Sequence, residues 1–329
     1  MNKHNWIPKC AALLGFFLGP LCVMSAPIDR TFVSGVGDDA NPCIRTAPCK
    51  TFAGASVKTN PGGEIDVLDA GGFGVVTITK SLTIDGGGSF ASINALGVNA
   101  SGITVSAGED DVVFLRHLSL SSTVFNGQFA ANGIKVVRAR AVHVIDCMIR
   151  DYAHHGIDFE PTGQTRLFVS DSIIMNNGSG SADAGILVKG TSLESALAII
   201  DHVRVSGNRN GIVARDGSRV SISDSVISGN AVVGLIAAPE SAALAEMNVE
   251  RSVVTLNRLG IQAGTCAATG RGIVRISNVS VTNNASEGLN HTVGTPSNGC
   301  GNGEIISARN NTVLGNHPDG DPTATPGQK

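Results

Sequence analysis

A degenerate repeat fills about two thirds of the chain, and it leaves few folds open. Each copy opens as a run of alternating apolar residues that closes on Asp or Asn. A turn containing Asn follows, and a Gly-aliphatic pair then starts the next run. One copy runs through Val220, Ile222, Asp224, Val226 and Asn230 to Gly234-Leu235, and another through Leu197, Ile199, Asp201, Val203, Val205 and Asn208 to Gly211-Ile212. Further copies start at Val142, Leu167, Val249 and Val274, with a last one near Ile305. The reopening glycines stand at 133, 156, 185, 211, 234, 260 and 288, in steps of 23, 29, 26, 23, 26 and 28 residues. A period in the twenties with drifting length describes a solenoid whose loops vary around a constant core. No unit is long enough to bury its own apolar face, so neighbours must stack.

Period two, rather than 3.6, governs the apolar positions, as at Val142 and Val144 or Leu167 and Val169. Val, Ile, Ser, Thr and Asn dominate, which are poor helix formers. The Leu-x-x-Leu-x-Leu frame of leucine-rich repeats is missing. Short strands separated by tight Asn and Gly corners therefore make one coil of a parallel β-helix. Coils about 4.8 Å apart give roughly eight to ten layers, a rod on the order of 40–50 Å long. Asn177, Asn208, Asn230, Asn257, Asn284 and Asn316 recur at the corners. Asn tolerates left-handed backbone, and stacked amides form hydrogen-bonded ladders.

With these repeats, and with its opening, the chain resembles the right-handed parallel β-helix proteins of the pectate-lyase-like superfamily, most closely their secreted bacterial members. The opening runs from Arg30 through Asp38-Asp39, Pro48-Cys49-Lys50-Thr51-Phe52, Gly62 to Val67, Gly72-Phe73, and Lys80 to Gly86. The resemblance implies an all-β, single-stranded right-handed parallel β-helix with a short N-terminal capping helix at about Thr51 to Thr59. It covers residues 30 to 316 and specifies fold rather than activity, because one scaffold hosts lyases, hydrolases, epimerases and non-catalytic rods.

Residues 1–26 read as a secretory signal, with Lys3 and Lys9, an apolar stretch from Ala11 to Leu18, and a small-residue exit at Ala26. The β-helix domain is assigned to 27–316, its cap and first coils to 27–80, and a disordered tail to 317–329. Loss of the signal moves the formal charge from −3 to −5. No basic run suggests nucleic acid, and no span crosses a membrane in the mature chain. The destination is secreted or periplasmic. Five cysteines remain: Cys43–Cys49 and Cys266–Cys300 could pair in an oxidising compartment, leaving Cys147 buried in a coil.

Ionisable residues are densest from Arg150 to Glu160, which holds the only tyrosine and two of the seven mature histidines. In-register stacking places Lys135 beside Asp158, and Asn132 beside His155, on the outer surface. A polyuronate lyase or epimerase needs a base at C5, an acid near the leaving group and a cation for the carboxylate. Tyr152, His154 or His155, and Lys135 or Arg138 could fill those roles, with Asp158 as the lysine's partner. A plain surface ion pair on a solvated turn is the competing reading. The motifs of enzymatic relatives are incomplete: His154-His155-Gly156 and Gly133-Ile134-Lys135 are partial matches, and no column of acidic residues is evident.

No cofactor is expected. Calcium is the metal that Asp38-Asp39 or Glu109-Asp110-Asp111 could take, though both adjoin turn glycines. The mature chain has one Tyr, nine Phe and no Trp, a poor supply of platforms for neutral sugars. Two functional classes follow. The favoured one is a non-catalytic rod presenting a polar face to a polysaccharide or envelope partner. The other is a lyase or C5-epimerase acting on an acidic polysaccharide.

Overall fold

The computed structural model describes residues 28–89, 91–192, 194–265, 269–293 and 301–325. The expected signal segment and the Cys266–Cys300 pair lie outside the described residues. The rest is a parallel β-solenoid. Each coil visits three sheets in turn: sheet I with 11 strands, sheet II with 10 and sheet III with 9. Sheet I runs from Ile28–Val33 to Gly303–Ser307, sheet II from Gly71–Gly72 to Thr312–Leu314, and sheet III from Val76–Ile78 to Leu289–His291.

Register keeps like on like. In sheet I, Ile84, Leu115, Val144, Val169, Ile200, Ile222, Val249 and Ile276 stack as one interior column. In sheet III the aliphatic partners of the repeat glycines do the same, from Ile103 and Ile134 through Ile157, Ile186, Ile212, Leu235 and Ile261 to Leu289. These side chains are almost fully buried, so truncating one to Ala costs about 2–5 kcal/mol. The glycines before them are needed for close approach. A Cβ on Gly211 would lie 2.3 Å from the Gly234 carbonyl oxygen, and one on Gly260 would lie 2.5 Å from that of Gly288.

The two regular corners work differently. Between sheets I and II the chain turns through a single left-handed residue: His117, Asp146, Asp171, His202, Asp224, Arg251 and Asn278 all have φ between 45° and 54°. Between sheets II and III the left-handed residue is Asp151, Asn176, Gly207, Gly229, Leu256, Asn283 or Gly315. This corrects the sequence reading, which gave that conformation to the Asn one place later. The turn is made first, and the following Asn then projects inward. Asn177, Asn208, Asn230, Asn257, Asn284 and Asn316 are 0–6% exposed. In each step one amide oxygen accepts both the backbone N–H and the side-chain N–H of the Asn above it, at 2.8–3.2 Å.

Seven-residue helix α1 (Phe52–Lys58) is capped by Thr51, whose hydroxyl accepts the Gly54 N–H at 2.9 Å. Phe52 packs on Phe73, and the Cys43–Cys49 disulfide lies nearby. The segment expected to be a disordered tail is hydrogen-bonded where it is described. Pro318 and Asp319 carbonyls accept from Gly288 and Leu289, and the Ala324 carbonyl accepts from Ser307. The last coil leaves its edge N–H groups without another coil, and this segment supplies their acceptors. Among the described residues no helix is long and apolar enough to cross a membrane.

Candidate functional site

On the outer face of sheet III, Lys135 and Asp158 are register partners, with Nζ 2.9 Å from Oδ2. Asn132 ties them to the next residue along: its Nδ2 donates to Asp158 Oδ2 at 3.1 Å, and its Oδ1 accepts the His155 N–H at 3.1 Å. His155 Nδ1 in turn accepts the Ala184 N–H at 3.1 Å. Burial holds the His155 imidazole below its ordinary pKa, the nearby carboxylates notwithstanding. Burial also acts to lower that of Lys135, but the bond to Asp158 and its charge outweigh it, so the ammonium stays protonated. Asp158 is only 5% exposed, and its Oδ1 accepts no hydrogen bond. Arg138 is not part of this group; its Nε donates to the Ala107 carbonyl.

Tyr152 and His154 lie around the corner from that pair. Tyr152 takes the ladder place in the coil above Asn177, and its N–H donates to Asn177 Oδ1 at 3.1 Å. Its ring fills the interior beneath Gly102 and Gly133, and its hydroxyl donates to the Ser121 carbonyl at 3.0 Å. Burial, with Asp151 adding to it, raises the phenol well above its usual pKa, so it stays protonated near neutral pH. His154 points outward, with Nδ1 3.3 Å from Asp183 Oδ1. The two histidine rings stand 6.4 Å apart, tilted by 41°, and His155 Nδ1 is already taken up by the Ala184 N–H. The five residues therefore form two groups, Lys135–His155–Asp158 and Tyr152–His154, rather than one.

A cleft of about 400 Å³ opens beside the second group, lined by Gln128, Phe129, Asp151, His154, Asn176 and Ser179, among others. Its outer wall is a hairpin that the sequence reading passed over. Phe125 and Gln128 exchange backbone hydrogen bonds at 2.8 and 3.0 Å across Asn126-Gly127, both with positive φ. Asn-Gly between apolar residues is a strong two-residue hairpin signal, and it could have been found. Val124, Phe125 and Phe129 are 56%, 50% and 41% exposed on it. Arg150 pairs with Asp151 at the floor.

A second aromatic group is closed to ligands. Phe114, His143 and Phe168 stack on the outer face of sheet I with centroids 4.4 and 4.5 Å apart and planes within 14°. Arg116 covers the free side of Phe114 at 5.0 Å. The stack turns its edges to solvent and its faces to itself. The suspected calcium clusters are turn carboxylates: Asp39 accepts from Lys50 and Thr51, and Asp111 from Ser81 and Gly108. No acidic column is evident in the repeat's outward places, but the corner between sheets I and II carries Asp146, Asp171 and Asp224 at equivalent places. There Asp201, His202 and Asp224 bring ligand atoms within 4.8 Å of one another. Arg251 already neutralises Asp224, at 2.8 Å.

No protein-family model and no curated protein sequence matches this chain. Solved structures do. Pectate lyase Pel9A superposes with a TM-score of 0.60 at 15% identity, over 89% of this chain and 80% of that one. A rhamnogalacturonan lyase superposes at 0.56 and 12%, over 89% and 88%. Identities this low speak to architecture alone, and on that point they agree with the three parallel sheets: the chain is a right-handed parallel β-helix of the pectate-lyase type.

Proposed function

We propose that this is an exported, non-catalytic β-helix that binds a polysaccharide in the corner cleft between the 123–129 hairpin and the Asp151–His154 turn. The observation that carries the reading is the split of the candidate residues. The one phenol is 2% exposed and spends its proton on a backbone carbonyl, while the open cleft that Tyr152 borders offers an aromatic face among amide, hydroxyl, carboxylate and imidazole groups. That mixture suits a molecule dense in hydroxyls. Two fold neighbours whose names give them pectate and rhamnogalacturonan as substrates support a glycan as the occupant. The Cys43–Cys49 disulfide supports an oxidising compartment.

A lyase or C5-epimerase on an acidic glycan is the second reading, and one observation favours it. Buried Asp158, beside Lys135, keeps one carboxylate oxygen, Oδ1, without a hydrogen-bond partner. Affinity electrophoresis through gels carrying different polysaccharides, run alongside assays for unsaturated ends and C5 inversion on uronans, separates the two. Retardation without turnover is expected. Turnover lost on Lys135→Ala or Asp158→Asn overturns the binding reading in favour of the enzyme.

A further inference from the structure

We infer that the corner cleft selects a neutral pyranose residue, one bearing neither carboxylate nor sulfate; this rests on the glycan-binding reading above and names its ligand class. Charge is the first ground. The lining and its ion-pair partners hold two carboxylates, Asp151 and Asp183, against Arg150 and His154. Even with His154 counted as a cation the sum is zero, and each positive group already faces a carboxylate. Within the lining an anionic sugar would find no cation that is not already paired with a carboxylate; Arg209 abuts Gly178 from the next coil, outside the lining. A charge left without a partner excludes as effectively as new contacts attract.

Shape is the second ground. Phe129 offers an exposed ring on the hairpin wall, whereas Phe114 and Phe168 stack against His143. The π face of a ring is its negative side and accepts the weakly positive C–H face of a pyranose. Gln128 stands beside it on the same wall, and Asn176 and Ser179 also line the cleft; among the described residues the amides of Gln128 and Asn176 form no side-chain hydrogen bond, and Ser179 Oγ donates to the Ala153 carbonyl. Amide groups both donate and accept, which matches a ring of hydroxyls. At about 400 Å³ the space is at the small end of ligand clefts, so it holds a short stretch of chain.

The test is calorimetric titration of the exported protein with size-matched neutral oligosaccharides (galactan, arabinogalactan and β-glucan series) and with oligogalacturonates and alginate oligomers, at low and high salt. Binding to a neutral series, insensitive to salt and weakened about tenfold or more by Phe129→Ala, is the expected result. Circular dichroism checks that this surface variant folds, and Gln128→Ala provides a second variant on the same wall. Binding to the uronates alone, or neutral binding that neither variant alters, overturns the neutral-sugar assignment while leaving the glycan-binding reading standing. No binding to any series overturns both.

Discussion

One corner of this rod behaves in two ways along its length. From Asn177 to Asn316 the turn between sheets II and III is closed by six buried amides, the first five each bonded to the next coil. One coil above Asn177, Tyr152 takes the amide's place, and in the coil above that the corner itself leaves the core as the 123–129 hairpin. The ladder corner is solvent-excluded and repetitive; the corner above it is open and is walled by Gln128 and Phe129, which belong to no repeat. The difference follows from what a coil must supply to its neighbour. Where the layer below asks for an amide, sequence is fixed. Where the ladder ends, that demand stops, and the chain can be spent on a cleft. In a solenoid the repeats are therefore the wrong place to look for function, and the break in them is the right one.

The sharpest way to break this contrast is Asn230→Ala. Asn230 Oδ1 accepts from Asn208 N and Nδ2 at 3.0 and 3.2 Å, and its Nδ2 reaches Asn257 Oδ1 at 2.8 Å and the Val205 carbonyl at 3.3 Å. Alanine leaves the buried Asn208 N–H without its acceptor and takes donors from the Val205 carbonyl and from Asn257 Oδ1, which keeps only the residue 230 N–H, at a cost on the order of 3 kcal/mol. Gln128→Ala, on the cleft wall, should cost under about 0.5 kcal/mol. Urea titrations followed by circular dichroism measure both. Equal losses at the two sites would erase the distinction between a structural corner and a free one.

Tyr152→Phe probes the junction itself. The ring and its packing stay, and only the bond from the hydroxyl to the Ser121 carbonyl is lost. About 1 kcal/mol of stability should go with it, and glycan affinity should not change. A variant of near-normal stability that no longer binds would return the phenol to the site.

Much of the architecture could be read from the sequence, because stacking makes each coil a template for the next. The glycine series, the alternating aliphatics and the Asn positions are the same contact written several times, and the Lys135–Asp158 pair follows from counting two places past Gly133 and Gly156. What counting cannot give is direction at irregular places. Tyr152 looks like a candidate base until its position is recognised as a ladder place, whose side chain must point inward. His154 and Asp183 are 29 residues apart and meet only because the 176–183 loop folds back over the corner. Phe129 belongs to no repeat, so periodicity is silent about it. Phe114, His143 and Phe168 do share a register position, but nothing in their spacing says that the rings lie face to face.

The smallest expected effect comes from the other regular corner, which has a ladder of its own. Ser172, Ser225 and Ser252 each donate to the carbonyl two residues earlier at 2.7 Å. Each also accepts an N–H from the coil above at 3.0–3.1 Å. Cys147 continues that column above Ser172, with its Sγ 3.4 Å from the Ile145 carbonyl, the place that Ser170 holds for Ser172. Burial pushes its thiol up to about 12, so it is not ionised near neutral pH and should be inert to thiol reagents in the folded rod. If Cys147 occupies a serine's place, Cys147→Ser puts a hydroxyl where one already fits, and the urea midpoint should move by no more than about 0.5 kcal/mol. A penalty above about 2 kcal/mol would mean that the sulfur is held as an apolar atom. This corner would then be packed rather than hydrogen-bonded at this level, and its ladder, like the amide one, would stop where the repeat gives way.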